Sequence, residues 1–452
     1  MGSVRRITRD DLKRLDSIRY SGTKYVGRLG VERFYEHSLH GEVGNELVEI
    51  DVRGRILKSI DATPPVRGQN LTLHLDSRLQ IAARAALGGR RGAIVALDTR
   101  SGGILAMVSN PAYDPNDFVT GIKPALYREL VESRDTPLFN RATNGQYAPG
   151  STFKPIIGLA GLSAGVTDWK RTVDDQGWFK LPNQDRVYRD WSWTRDDTGG
   201  QGVVDLRKAI YRSSNVYFYD LATKMDVDDL AEFAARFGYG QVTTIDVAEA
   251  SSGVLPTRLW KQGLKGERWF TGDTVNLSIG QGDLLVTPLQ LATVTMVIAN
   301  RGRWIRPRML LSSDTPLVEF DPPPPIQRVR GPTEEDWERM IDAMEDVVHR
   351  GNRGLGENGT AWAHVGRNVG YRMAGKSGTA QVVEILQGQE YNEEELDEYQ
   401  RKHACFVAFA PADDPVIAVS VLVENGGSGS SVAGPVAKQV LDAYLLPQLV
   451  RR

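Results

Sequence analysis

Apolar positions change their spacing several times along the chain, and each change predicts a different element. Residues 92–109 (GAIVALDTRSGGILAMVS) hold two near-continuous apolar runs around Thr99-Arg-Ser-Gly-Gly, which predicts an antiparallel hairpin buried on both faces. Just before it, LTLHL from Leu71 alternates like a strand, Asp76 is placed to cap, and 79–87 has helical spacing. From Thr152 onward small and branched apolar residues suit a buried helix of about three turns that begins at or just after Ser151. Pro155 is compatible with it, because the first-turn N–H groups of a helix have no acceptor. Segments 203–225 and 227–237 read as helices. Thr287 caps another, opened by Pro288 and stopping near Asn300. From Thr333, the stripe Trp337, Met340, Ile341, Met344, Val347 and Val348 predicts an amphipathic helix ended by Gly351. Segments 373–383, 403–410 and 416–423 are three late strands, and 432–445 is a closing helix.

The polar stretches set the organisation. Residues 5–68 are mixed, with a short helix expected at 10–15 and a hairpin over 46–60 turning at Arg53-Gly54; Pro64-Pro65 is a break. Residues 172–202 lack periodicity and read as a long loop or irregular subdomain, 321–325 is a surface proline run, and 384–400 is an acidic insertion. An early hairpin and three late strands with helices between predict an α+β fold: one antiparallel sheet built from both ends of the domain, covered by helices, with a helical insertion that brings the Ser151 helix to the sheet edge. We divide the chain into a small module, 1–68, and a main domain, 69–449.

Composition narrows this picture. A chain of 452 residues with 41% hydrophobic and 25% charged content is an ordinary globular protein, and a net charge of −2 argues against a nucleic-acid partner. The single cysteine, Cys405, lies in an apolar run and excludes an intrachain disulfide. No run of 18 apolar residues occurs; the nearest, 284–299, is broken by Thr287, Pro288 and Gln290. Met1-Gly2-Ser3 looks like an expression scar with no signal peptide after it, which leaves room for an export or anchor segment cut away upstream.

Three segments carry candidate chemistry. Ser151 and Lys154 fall three apart at a helix start, on one face. A serine hydroxyl needs a neighbour to take its proton, and a lysine serves only when burial or another cation keeps it neutral. The bland alternative is a helix cap with a lysine reaching to water, and Ser21-Gly-Thr-Lys24 repeats the pattern in a polar stretch with no buried helix behind it. Ser213-Ser214-Asn215 places two polar side chains toward one cleft if the chain turns there, and otherwise caps a helix. Lys376-Ser377-Gly378-Thr379 lies in a strand, where a glycine marks close approach to the backbone, by a ligand or at a bulge. The acids between the first two segments, Asp174, Asp175, Asp190, Asp196 and Asp197, have no His or Cys beside them, so no zinc site is expected.

Ser-x-x-Lys, Ser-x-Asn and Lys-Ser-Gly-Thr in this order are the three motifs of the penicillin-recognising serine acyltransferases. With 138–155 (LFNRATNGQYAPGSTFKP), YRDW at Tyr188, FGYG at Phe237, IGQG at Ile279 and 374–382 (AGKSGTAQV), the chain resembles the class B penicillin-binding proteins, within them the penicillin-binding protein 2 group of the rod-elongation machinery, over about 26–446. The resemblance implies the penicillin-binding transpeptidase fold shared with serine β-lactamases, 1–68 as the remnant of an N-terminal pedestal, and a peptidoglycan D,D-transpeptidase that needs no cofactor. It implies that Ser151 is the nucleophile and Lys154 its proton acceptor, that Ser213 relays a proton with Lys376 beside it, and that Asn215, Ser377, Gly378 and Thr379 bind substrate. Implied partners are stem peptides ending in D-Ala-D-Ala, an acceptor amine, β-lactams, a RodA-like membrane glycosyltransferase of the SEDS family and an elongation scaffold, with the catalytic domain in the periplasm of a bacterium and tethered to its inner membrane. A D,D-carboxypeptidase and a β-lactam sensor use the same residues and stay open. A serine β-lactamase lacks a clear Glu-x-x-x-Asn-like loop here.

Overall fold

The computed structural model describes residues 2–194, 199–317, 327–354, 356–382 and 395–449. The proline run and most of the acidic insertion lie outside these residues. At the N-terminal end Gly2–Arg6 pairs with Tyr25–Leu29, and Asn45–Ile50 pairs with Ile56–Thr63 across the expected turn, where the Asp51 carboxylate accepts from the backbone N–H of Arg53 and Arg55. The helix expected at 10–15 is instead a series of turns. Asp11 accepts from both the N–H and the hydroxyl of Thr8 and pairs with Arg28, a local side-chain network that competes with helical hydrogen bonding.

The main sheet has five antiparallel strands: β1 Gly92–Asp98, β2 Ile104–Asn110, β3 Ala374–Ala380, β4 His403–Ala410 and β5 Ile417–Val423, in spatial order β3-β4-β5-β1-β2. Strands from the two ends of the domain thus meet at its centre, where Val423 pairs with Gly92, as the apolar runs predicted. Every residue of β5 is buried, so both its faces are covered. Helix α1 (Ser77–Leu87), capped by Asp76 as expected, packs on the closing helix Gly434–Leu449, which itself lies on β4 and β5.

The insertion between β2 and β3 is largely helical, and the helices that build the site and cover the sheet are α2 Lys154–Ser163, α3 Leu206–Tyr211, α4 Asn215–Ala222, α5 Val227–Ala235, α6 Pro288–Ala299 and α7 Glu334–His349. The fully buried α6 lies across β5, β1 and β4, and α7 packs its predicted stripe on β3 and α3. Two expectations need correction. Residues 203–205 are not helical: Gly202–Asp205 pairs with Thr172–Asp175, and the Asp205 carboxylate accepts from Lys208 N–H to open α3. The helix read to 225 is then broken at Ser213, whose φ is +59°, and Ser214 caps the next one. The irregular stretch 172–202 also contains a second small hairpin, Trp178–Lys180 with Val187–Arg189.

Candidate active site

The turn that carries Ser151 is held against the sheet edge by backbone. Gly150 has φ +55° and donates its N–H to the Gly280 carbonyl at 2.9 Å; a Cβ there would sit 2.7 Å from the Thr379 carbonyl oxygen of β3. A single 3₁₀ turn, Gly150–Phe153, then feeds α2, with Pro155 in its first turn as anticipated. Gly378 lies opposite the turn. A Cβ on it would meet the Pro149 carbonyl oxygen at 2.7 Å and the Thr152 side chain at 2.9 Å. The close approach that a glycine in this strand foretold is therefore made by the Ser151 turn itself.

Lys154, the first residue of α2, is fully buried. Its Nζ donates to the Ser213 carbonyl at 2.7 Å, to Asn215 Oδ1 at 2.6 Å and to Ser213 Oγ at 3.3 Å. Lys376 from β3 is equally buried and donates to Ser213 Oγ at 2.9 Å and to the Ser377 carbonyl at 3.1 Å. The Ser213 hydroxyl thus lies between two buried amines, aimed there by its left-handed backbone, a conformation that costs a serine about 1 kcal/mol or more. Burial brings the Lys154 amine down to about 7 against the opposing pull of Asp190 and Asp175. Burial and the neighbouring Lys154 charge hold Lys376 well below its ordinary value. As an ammonium Lys154 spends all three protons on its three acceptors; as an amine it keeps two and gains a lone pair.

Two carboxylates that sequence reasoning considered only as metal ligands lie beneath the Ser213–Asn215 turn. Asp190 accepts from the Asn215 N–H and from the N–H (2.9 Å) and hydroxyl (2.7 Å) of Ser192. Asp175 accepts from the Ser214 hydroxyl at 2.6 Å, and burial with Asp190 nearby pushes its carboxyl up to about 6. Asp175 lies outside every segment that carries the resemblance, and Asp190, though inside YRDW, is not singled out for this role by the sequence. Asp174 is exposed, while Asp196 and Asp197 lie outside the described residues.

All eight residues singled out from the sequence converge. Ser151, Ser213, Asn215, Ser377, Gly378 and Thr379 line one open cleft of about 1660 Å³, with Lys154 and Lys376 beneath it. Its rim is fixed by Thr360, whose hydroxyl lies 3.4 Å from that of Ser377, and by Gln281, whose Nε2 donates to the Thr379 carbonyl at 2.9 Å. Cys405, by contrast, is buried in β4 with its thiol pushed up to about 12, a core residue.

A five-stranded antiparallel sheet with a serine turn at its edge and two buried lysines converging on a second serine defines a penicillin-recognising acyltransferase fold. Residues 92–442 match the penicillin binding protein transpeptidase domain and residues 1–73 the penicillin-binding protein dimerisation domain. The chain belongs to the penicillin-binding protein transpeptidase family. It is 43% identical over 449 residues to the peptidoglycan D,D-transpeptidase MrdA of Acinetobacter baumannii, covering 99% of this chain and 64% of that protein. It is 39% identical over 455 residues to the MrdA of Escherichia coli K12, covering 99% and 69%. Among solved structures it is similar to Pseudomonas aeruginosa PBP2 in complex with WCK 5153, with 46% identity, TM-score 0.85 and coverage of 99% and 88%. It is also similar to Helicobacter pylori PBP2 in complex with MreC, with 29% identity, TM-score 0.84 and coverage of 98% and 76%.

Proposed function

We propose that the protein is a serine-type peptidoglycan D,D-transpeptidase of cell elongation and a covalent target of β-lactams. The observation that carries this reading is the convergence of Lys154 and Lys376 on Ser213 in the cleft that Ser151 lines. Ser151 Oγ attacks the carbonyl of the penultimate D-Ala, and its proton passes to neutral Lys154. The backbone N–H groups of Ser151 and Thr379 receive the oxyanion, an arrangement typically worth about 100- to 1000-fold in rate. Collapse breaks the peptide bond, Ser213 with Lys376 delivers the proton to the leaving D-Ala amine, and an acyl-enzyme remains. The amine of a second stem peptide attacks the ester, gives up its proton along the same relay, and leaves the crosslink while Ser151 is released. Asn215 holds the donor backbone, and Ser377 and Thr379 hold its terminal carboxylate, with Gly378 letting the serine turn lie close to them.

Residues 1–68 belong to the N-terminal pedestal module and 69–449 form the penicillin-binding transpeptidase domain in this reading. A scaffold like MreC and a RodA-like glycosyltransferase are the partners, at the inner membrane with the site facing the periplasm. Among the described residues no helix is long and apolar enough to cross a membrane.

Intact mass after incubation with a β-lactam, with the adduct mapped by digestion, tests the assignment. One adduct on Ser151, lost in Ser151→Ala, is expected; an adduct elsewhere overturns it. Lys154→Ala should fold but acylate at least 100-fold more slowly. Unchanged acylation kinetics would move the base to another residue.

A further inference from the structure

The cleft is far more basic than the protein. The whole chain carries a net −2, yet among the described residues the cleft lining includes Lys180, Arg186, Arg189, Arg212, Arg367 and Lys402 against a single acid, Asp190, which is committed to Asn215. Clefts of one sign concentrate oppositely charged ligands. The cations are also arranged. Each of the four guanidinium groups lies over an aromatic ring of the same cleft: Arg189 at 3.9 Å from the Trp193 centroid, Arg367 at 4.6 Å from Trp362, Arg186 at 5.2 Å from Tyr188 and Arg212 at 5.3 Å from Trp191. An aromatic face attracts a cation held over it, which keeps these guanidinium groups at the cleft wall while their N–H donors can still pair with a carboxylate. Arg212 is already tied to the Asn358 carbonyl at 2.7 Å and Gln201 at 3.2 Å and so acts as framework. Arg186 and Arg367 are exposed and have no carboxylate partner among the described residues.

This inference rests on the transpeptidase reading and deepens it. There, the donor's terminal carboxylate goes to Ser377 and Thr379, which leaves the basic wall without a ligand. We propose that Arg186 and Arg367, held over Tyr188 and Trp362, bind the non-terminal carboxylates of the stem peptide and make the site selective for anionic over amidated peptides. They are specificity-determining residues and move no proton.

The test is protection of Ser151 from a fluorescent penicillin by two synthetic stem peptides, both ending in D-Ala-D-Ala, one with its other carboxyl groups free and one with them amidated. The free peptide is expected to protect at about tenfold lower concentration, a gap that narrows in 0.5 M salt because the contacts are exposed. In the Arg186→Gln/Arg367→Gln double variant the two peptides should protect alike. Equal protection of the wild-type protein overturns the proposal without recourse to any variant, as does a preference that survives both substitutions. Absence of penicillin labelling at Ser151 would overturn the transpeptidase reading itself, and is told apart because it is seen before any peptide is added.

Discussion

In the proposed role as base, Lys154 would have to be neutral to take a proton from Ser151, and its burial bears on the pH at which it is. Burial brings its amine down to about 7, so below that pH the neutral fraction falls about tenfold per unit while above it the lysine is mostly competent. Acylation by penicillin should therefore rise with pH through a midpoint near 7 and then level off. A stopped-flow profile that is flat from pH 5.5 to 8 would be incompatible with Lys154 as the base. The Asp190 carboxylate is the first of the groups that pull this value upward. Asp190→Asn keeps an oxygen for the Asn215 N–H but removes the charge that favours the ammonium, so the midpoint should move to lower pH. A weaker base also abstracts protons less well, so the plateau should fall as well. An upward shift would mean that Asp190 acts only by shaping the turn. The strained φ of Ser213 belongs to the same device, since it is what presents one hydroxyl to two amines at 3.3 and 2.9 Å.

Three glycines let two elements come within backbone contact: Gly150 in the serine turn, Gly280 whose carbonyl accepts from it, and Gly378 in β3. A methyl group at Gly378 would press on the Pro149 carbonyl oxygen, which is backbone and cannot rotate away. Gly378→Ala should cut the penicillin acylation rate by about 100-fold or more while far-UV circular dichroism and β4 pairing are retained, because the displacement falls on the placement of Ser151 and not on the core. A variant acylating at the wild-type rate would show that the turn is free to shift. The same scale explains what was legible beforehand. The hairpin of β1 and β2, the capped α1, α6 and α7, and the three motifs each follow from local spacing, and all lie where that spacing put them. The strands within 172–202 are only three or four residues long, too short for a period to appear. Val203 and Val204 read as the start of a helix because an apolar pair adjoins one, yet only Val204 is buried, as strand alternation requires. Asp175 was invisible as a support and Asp190 showed only as part of YRDW, since nothing local tells an acid in an irregular stretch that it will lie beneath a turn more than 20 residues away.

At the scale of the molecule, the N-terminal module and the catalytic domain share one buried seam. Tyr35 is fully buried, and its hydroxyl donates to Asp246 at 2.9 Å. The same Asp246 carboxylate accepts from the backbone N–H groups of Met309 (2.8 Å) and Leu310 (2.9 Å), just where Leu310–Ser313 pairs with Leu71–Leu73, the strand that follows the module. Alongside, the Gly30 N–H donates to Glu249 at 2.8 Å. A single carboxylate therefore ties the module to the backbone of Met309 and Leu310, beside the connecting strand, through buried polar groups. Tyr35→Phe keeps the ring in the core but takes one donor from a buried charge, which costs about 1–3 kcal/mol. The variant should unfold at a lower denaturant midpoint, and amide hydrogens across 30–40 and 305–311 should exchange faster. Penicillin labelling of Ser151 should persist, because the Lys154–Ser213–Lys376 cluster draws none of its contacts from the seam. Faster exchange confined to 30–40, with 305–311 still protected, would show that Asp246 holds the catalytic domain by itself and that the tyrosine hydroxyl does not couple the two.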